Sequence, residues 1–124
     1  MPITHKIDAS KGVVFTTLWG ELTLEEARSN TEVMRNDPAF RPSMWQLADA
    51  RKVTSEISAE GVKELARTTP FARGSRQAIV VESDLVYGVS RMYALRQAEG
   101  GIDVKPFRDM QEARAWLGLA ASES

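Results

Sequence analysis

The sequence predicts an α/β fold: a mixed, mostly parallel five-stranded sheet with four helices, in the order ββαβαβαβα. Three observations predict it. The chain opens on two β-type segments joined by the short turn Ala9-Ser10-Lys11-Gly12, which is a hairpin. Apolar β-type runs then alternate with segments of helical period that begin on capping residues. Alternation of this kind demands crossover connections and parallel strand pairs. Finally, Gln77-Ala78-Ile79-Val80-Val81 is apolar without alternation, as expected of a strand covered on both faces.

Each element has its own warrant. Ile3, His5 and Ile7 alternate with Thr4, Lys6 and Asp8, the pattern of a half-buried strand. Val13 to Trp19 is rich in β-branched and aromatic residues, and Gly20 closes it. Thr23-Leu24-Glu25-Glu26 has the spacing of a capping box, with Leu22 and Ala27 placed as its apolar staple. Leu24, Ala27, Thr31 and Met34 share one helical face, and Asp37-Pro38 ends that helix. Met44 to Arg51 reads as the central strand, followed by a polar connection from Arg51 to Glu56. Ser58 caps a second helix with Val62, Leu65, Ala66 and Thr69 on its apolar stripe, stopped by Pro70. Ser83 or Asp84 caps a third, for which Leu85, Val89, Met92 and Leu95 or Arg96 form the expected apolar stripe. Gly100-Gly101 ends it. Ile102 to Phe107 is a strand whose Pro106 belongs at a sheet edge. Asp109-Met110-Gln111-Glu112 reads as a second capping box, opening a helix with Met110, Ala113, Trp116 and Leu117 inward.

The chain has 124 residues, enough for one core without disulfides or metal. The domain is expected over residues 1–119, with a frayed tail at 120–124. Hydrophobic residues make up 43% and charged ones 27%, and the formal net charge is −1. That balance gives no basic field for nucleic acid or anionic lipid. Cysteine is absent, which removes thiol catalysis and thiolate metal sites. One histidine alone builds neither a His-based metal pair nor a charge relay. No apolar run reaches the ~20 residues of a transmembrane helix, and the first residues lack a signal peptide's apolar core. The cytoplasm is the expected location. No cofactor or metal is expected.

Several elements together resemble a known family. These are Gly20-Glu21-Leu22-Thr23, the strand end Asp49-Ala50-Arg51, Ala78-Ile79-Val80-Val81, Tyr87-Gly88, Phe107-Arg108-Asp109 and Ala113-Arg114-Ala115-Trp116-Leu117. In this order and spacing the chain resembles the STAS domains, specifically the SpoIIAA-like branch described as STAS/SEC14-like. The resemblance implies a non-enzymatic regulatory or protein-interaction module. It also implies a phosphorylatable serine within an Asp-Ser-Ser triplet at the start of the second helix. The matching positions here are Ile57-Ser58-Ala59. Only Ser58 carries over as a candidate phospho-acceptor, and the triplet is not intact.

Asp49 and Arg51 lie two apart in a strand and share a face. They are candidate ligand- or partner-binding residues; the plain alternative is a structural ion pair. Ser83 and Asp84 sit at another strand-to-helix junction and are expected at the same cleft, or else serve only as caps. Ser58 has the same two readings. Tyr87, Met92, Tyr93 and Trp116 either line a pocket for a lipid or other apolar ligand or belong to the core. Arg67, Arg73 and Arg76 surround Pro70-Phe71 as a basic cluster, and Trp45 and Phe71 would anchor an interface if exposed. The expected partner is another protein or a second copy of the chain, as a homodimer through an open sheet edge. The alternative function is a small-molecule or lipid carrier using a cleft at the strand carboxyl ends near Asp49, Arg51 and Ser83.

Overall fold

In the computed structural model, which describes residues 2–55 and 57–121, one sheet carries every strand. The elements are β1 (Ile3–Asp8), β2 (Val13–Gly20), α1 (Leu24–Arg35), β3 (Trp45–Val53), α2 (Ala59–Arg67), β4 (Arg76–Val80), α3 (Asp84–Glu99), β5 (Asp103–Phe107) and α4 (Met110–Trp116). The strand order is β1-β2-β3-β4-β5. β1 and β2 form an antiparallel hairpin, and all later pairs are parallel. The hairpin turns at Gly12, whose φ of +68° is a conformation that disfavours side chains. Its amide donates back to the Asp8 carbonyl at 2.9 Å. β5 is an edge strand, which is where Pro106 was expected.

The strand order decides the layering. Each parallel connection moves the chain one strand in the same direction. Right-handed crossovers then place α1, α2 and α3 on one face of the sheet. After β5 no strand follows, and α4 folds onto the opposite face. The packing shows this division. Ala113 and Leu117 of α4 meet Leu47, Ala78, Val80 and Phe107. On the other face Val14 and Val104 pack with Met34, Phe40 and Phe71, where Phe40 and Phe71 meet edge to face at 5.4 Å. Gln77 and Ile79 therefore point to the three-helix side, and their neighbours Ala78 and Val80 point to α4.

Three sequence expectations are corrected. β3 runs two residues past Arg51, because Lys52 and Val53 still pair with Trp19 and Gly20 after a register shift in β2. The predicted polar connection is thus partly strand. Most of the expected apolar stripe of α3 faces outward, and of its members Val89 lines the inner space. Leu85, Met92 and Leu95 are 50%, 37% and 70% exposed, and Val86, Ser90 and Gln97 are buried instead. Apolar residues lie on both sides of this helix, so their period alone does not choose a face. The Ser83 cap and the chain entry from β4 set its rotation. Phe71 is buried, so the condition under which it would anchor an interface is not met. The basic cluster is dispersed: Arg67 binds Glu64 at 2.7 Å, Arg76 lies 5.2 Å from both the Trp45 and Trp116 rings, and Arg73 packs over Gly101. A side chain at Gly101 would collide with that guanidinium at 2.5 Å.

Candidate ligand-binding chamber

Between the sheet and α1, α2 and α3 lies a chamber of about 200 Å³. Its origin is visible in the residues. Of the central strand's residues on this side, Gln46, Ala48, Ala50 and Val53, the middle two are alanines. Above them α2 is short and offers Val62 and Leu65. It packs mainly beside α3 and also meets α1. Small side chains on the strand beneath it leave space over the middle of the sheet.

The lining is hydrocarbon interrupted by neutral polar groups. No charged side chain borders the chamber among the described residues. A polar row crosses its floor. Thr16 of β2, Gln46 of β3 and Gln77 of β4 stand on three adjacent strands, with Gln46 and Gln77 in direct register. Gln46 Nε2 donates to Thr16 Oγ1 at 2.7 Å. Gln77 is 1% exposed, and its Nε2 has no hydrogen-bond partner. A buried donor left unmade costs about 1–3 kcal/mol. Asn30 of α1 and Ser90 of α3, also buried, border the same space. Tyr93 is the one ordinarily titratable group at the wall. Burial pushes its phenol upward, against the lowering effect of hydrogen bonds with Gln97 and Thr69. Gln97 Nε2 donates to that phenol at 2.7 Å.

Asp49 and Arg51 are together, on the other face of the sheet. Arg51 donates through Nε to Asp49 Oδ1 at 2.9 Å and through Nη2 to Oδ2 at 2.8 Å. This fork holds the Asp49 carboxyl below its ordinary range, with partial burial opposing, and raises Arg51 in turn. The pair borders a second cleft of about 250 Å³ with Phe15, Thr17, Met110 and Arg114. Ser58, Ser83 and Asp84 do not line it. Ser58 Oγ accepts from the Gly61 amide and Ser83 Oγ from the Val86 amide, each at 3.1 Å, so both cap helices. Asp84 accepts from Arg108 Nη2 at 2.7 Å. The single cleft expected to join Asp49, Arg51 and Ser83 is therefore not formed. Strand-end residues alternate between faces, and the junction before α3 opens toward the three-helix side.

The aromatic group expected as a pocket is divided in the same way. Tyr93 borders the chamber. Trp116 packs on Phe107 across the sheet at 5.6 Å. Met92 faces outward, and Tyr87 lies under the Arg108 guanidinium at 4.6 Å. Sequence reasoning passed over Gln46 and Gln77. The available signal was a glutamine at an inward position of each of two strands predicted to be buried.

A solved structure from Shewanella loihica PV-4 is similar to this chain over 93% of both, with a TM-score of 0.62 and 21% sequence identity. It is described as an uncharacterized protein from the DUF3478 family with a SpoIIAA-like fold. The likeness is one of fold, and the present chain has the SpoIIAA-like (STAS) fold. No family model matches the sequence, and no curated protein does. Among the described residues no helix is long and apolar enough to cross a membrane.

Proposed function

We propose that this protein is a non-enzymatic binding module whose ligand is a small apolar molecule held between the sheet and α2. One observation carries the reading: a space of about 200 Å³ lined by hydrocarbon and neutral polar groups, with no charged side chain among the described residues. A well-packed core would fill such a space, because the surrounding atoms lose their dispersion contacts across a void. A guest restores those contacts. The chamber offers apolar contact and neutral polar groups, which suits retention of a molecule more than its turnover. Native mass spectrometry of the purified protein should show a non-covalent adduct, or added small neutral compounds should raise the melting temperature. Ala48→Leu, which occupies the chamber, should abolish both effects while the protein remains folded. A bare polypeptide mass, with no stabilisation by any such compound, would overturn the reading.

A second reading, association with another copy, is favoured by the outer face of α3. Leu85, Met92 and Leu95 form an exposed apolar stripe there, and the surface above Gly88 is open. In an antiparallel two-fold pairing of α3, Leu85 meets Leu95 of the second copy and Met92 covers Gly88. Asp84 then faces Arg96. Sedimentation equilibrium should give a dimer that Leu95→Glu converts to a monomer of unchanged fold. A wild-type mass equal to the 13.8 kDa chain at all concentrations would exclude it.

A further inference from the structure

We propose that the cleft on the α4 face, bordered by Asp49 and Arg51, binds a small organic monoanion: a carboxylate carried on an apolar body. This site lies across the sheet from the chamber under α2 and stands on different residues.

The cleft measures about 250 Å³ and lies between β2, β3 and α4. Its floor is built from two register pairs, Phe15 beside Leu47 and Thr17 beside Asp49. The first pair is hydrocarbon. The second is polar and stands about 7 Å further along the strands. Met110 and Arg114, four residues apart on one face of α4, add a thioether and a guanidinium. Apolar surface and hydrogen-bond donors therefore border the same space.

The charge at the cleft is positive. Asp49 is already held through both oxygens by Arg51, and Arg51 Nη1 stays outside that fork. Arg114 Nε donates to the Ala120 carbonyl at 2.6 Å, which anchors the guanidinium. No carboxylate of the described residues pairs with Arg114. Lys52 and Glu82 act on the Asp49–Arg51 pair from outside and are opposite in sign. One guanidinium charge is left uncompensated. The backbone is irregular at the same place: β3 holds one residue more than β2 between the pairs Thr17–Asp49 and Trp19–Lys52. An extra residue of this kind re-aims a side chain, and here it falls beside Arg51, whose side chain is 44% exposed. A carboxylate in the cleft meets charge-assisted donors while keeping part of its hydration, and its apolar body covers Phe15, Leu47 and Met110.

Benzoate, benzamide and acetate separate the contributions of charge and apolar body. Each would be titrated against the wild-type protein by NMR, following the Met110 methyl and the Arg114 Nε–H at the cleft and the Ala48 methyl at the chamber. Benzoate should shift the two cleft signals, leave Ala48 unmoved and bind about tenfold more tightly than benzamide, the equivalent of one charge-assisted hydrogen bond at a partly open site. Acetate, which lacks the ring, should bind at least about fivefold more weakly than benzoate. The preference for benzoate over benzamide should vanish in Arg114→Gln and persist in Arg114→Lys, which also loses the planar fork but keeps the charge. Asp49→Asn should tighten benzoate about threefold, because Arg51 then has no anionic partner on its own strand. Equal binding of benzoate and benzamide, benzoate shifts confined to Ala48, or an undiminished preference in Arg114→Gln would overturn the proposal. The wild-type comparison decides it even if a variant does not fold.

Discussion

Two polar side chains on neighbouring strands show how differently the same sheet treats its hydrogen-bonding groups. Asp49 is satisfied by a residue two positions along its own strand, through both carboxylate oxygens. Gln77 is buried with its amide nitrogen unpaired. The first arrangement is legible in sequence, because residues two apart on a strand always share a face. The second is not, because no local rule says whether an inward glutamine meets a partner across the sheet. The Asp49 pair also sets a pH dependence. Its folded carboxyl titrates below the ordinary aspartate value, so the ionised form is favoured by folding. That contribution is complete above the unfolded value and is lost as pH falls through the lower, folded one. Arg51→Ala should return the Asp49 titration, followed by carbonyl NMR, to the ordinary range. It should lower stability near neutral pH by less than about 1 kcal/mol, since the pair is largely open to solvent.

At the scale of elements, local signals placed most boundaries. The capping box at Thr23 and Glu26 is formed in both directions, Ser58 and Ser83 cap α2 and α3, and Asp109 accepts from the Glu112 amide to begin α4. What these signals do not fix is rotation, and α3, with apolar residues on two sides, is where the sequence reading turned the wrong face inward. Nor do they fix the space a helix leaves above the sheet. The space beneath α2 depends on small residues contributed by β3, a separate stretch of the chain. α2 is tied laterally to α1. Arg35 Nη2 donates to the Thr68 carbonyl at 2.9 Å, and Arg28 faces Glu64 at 3.9 Å. Arg35→Ala removes the shorter tie. It should raise the hydrogen-exchange rates of α2 amides about fivefold, corresponding to loss of roughly 1 kcal/mol of local protection. The β3 and β4 amides should be unaffected.

Across the whole molecule the sheet separates two interiors with different compositions. The α4 side holds an apolar core around Leu47, Ala78, Val80 and Phe107, flanked by the charged cleft of Asp49 and Arg51. The three-helix side contains the chamber and the polar row. The sequence order of elements and their right-handed crossovers were legible, whereas the division also needs the spatial strand order, and the chamber arises from the summed size of side chains that no single stretch records. Leu117→Ala, on the α4 side, should destabilise by about 2–4 kcal/mol in urea denaturation. It should leave small-molecule affinity for the chamber unchanged, and its cost should add to the effect of Ala48→Leu. α2 is braced at its flank by its ties to α1 and covers a space bordered by alanines. Because the space is already half open, a molecule can reach it without parting a strand ladder, and side chains at its mouth would govern how readily one comes and goes.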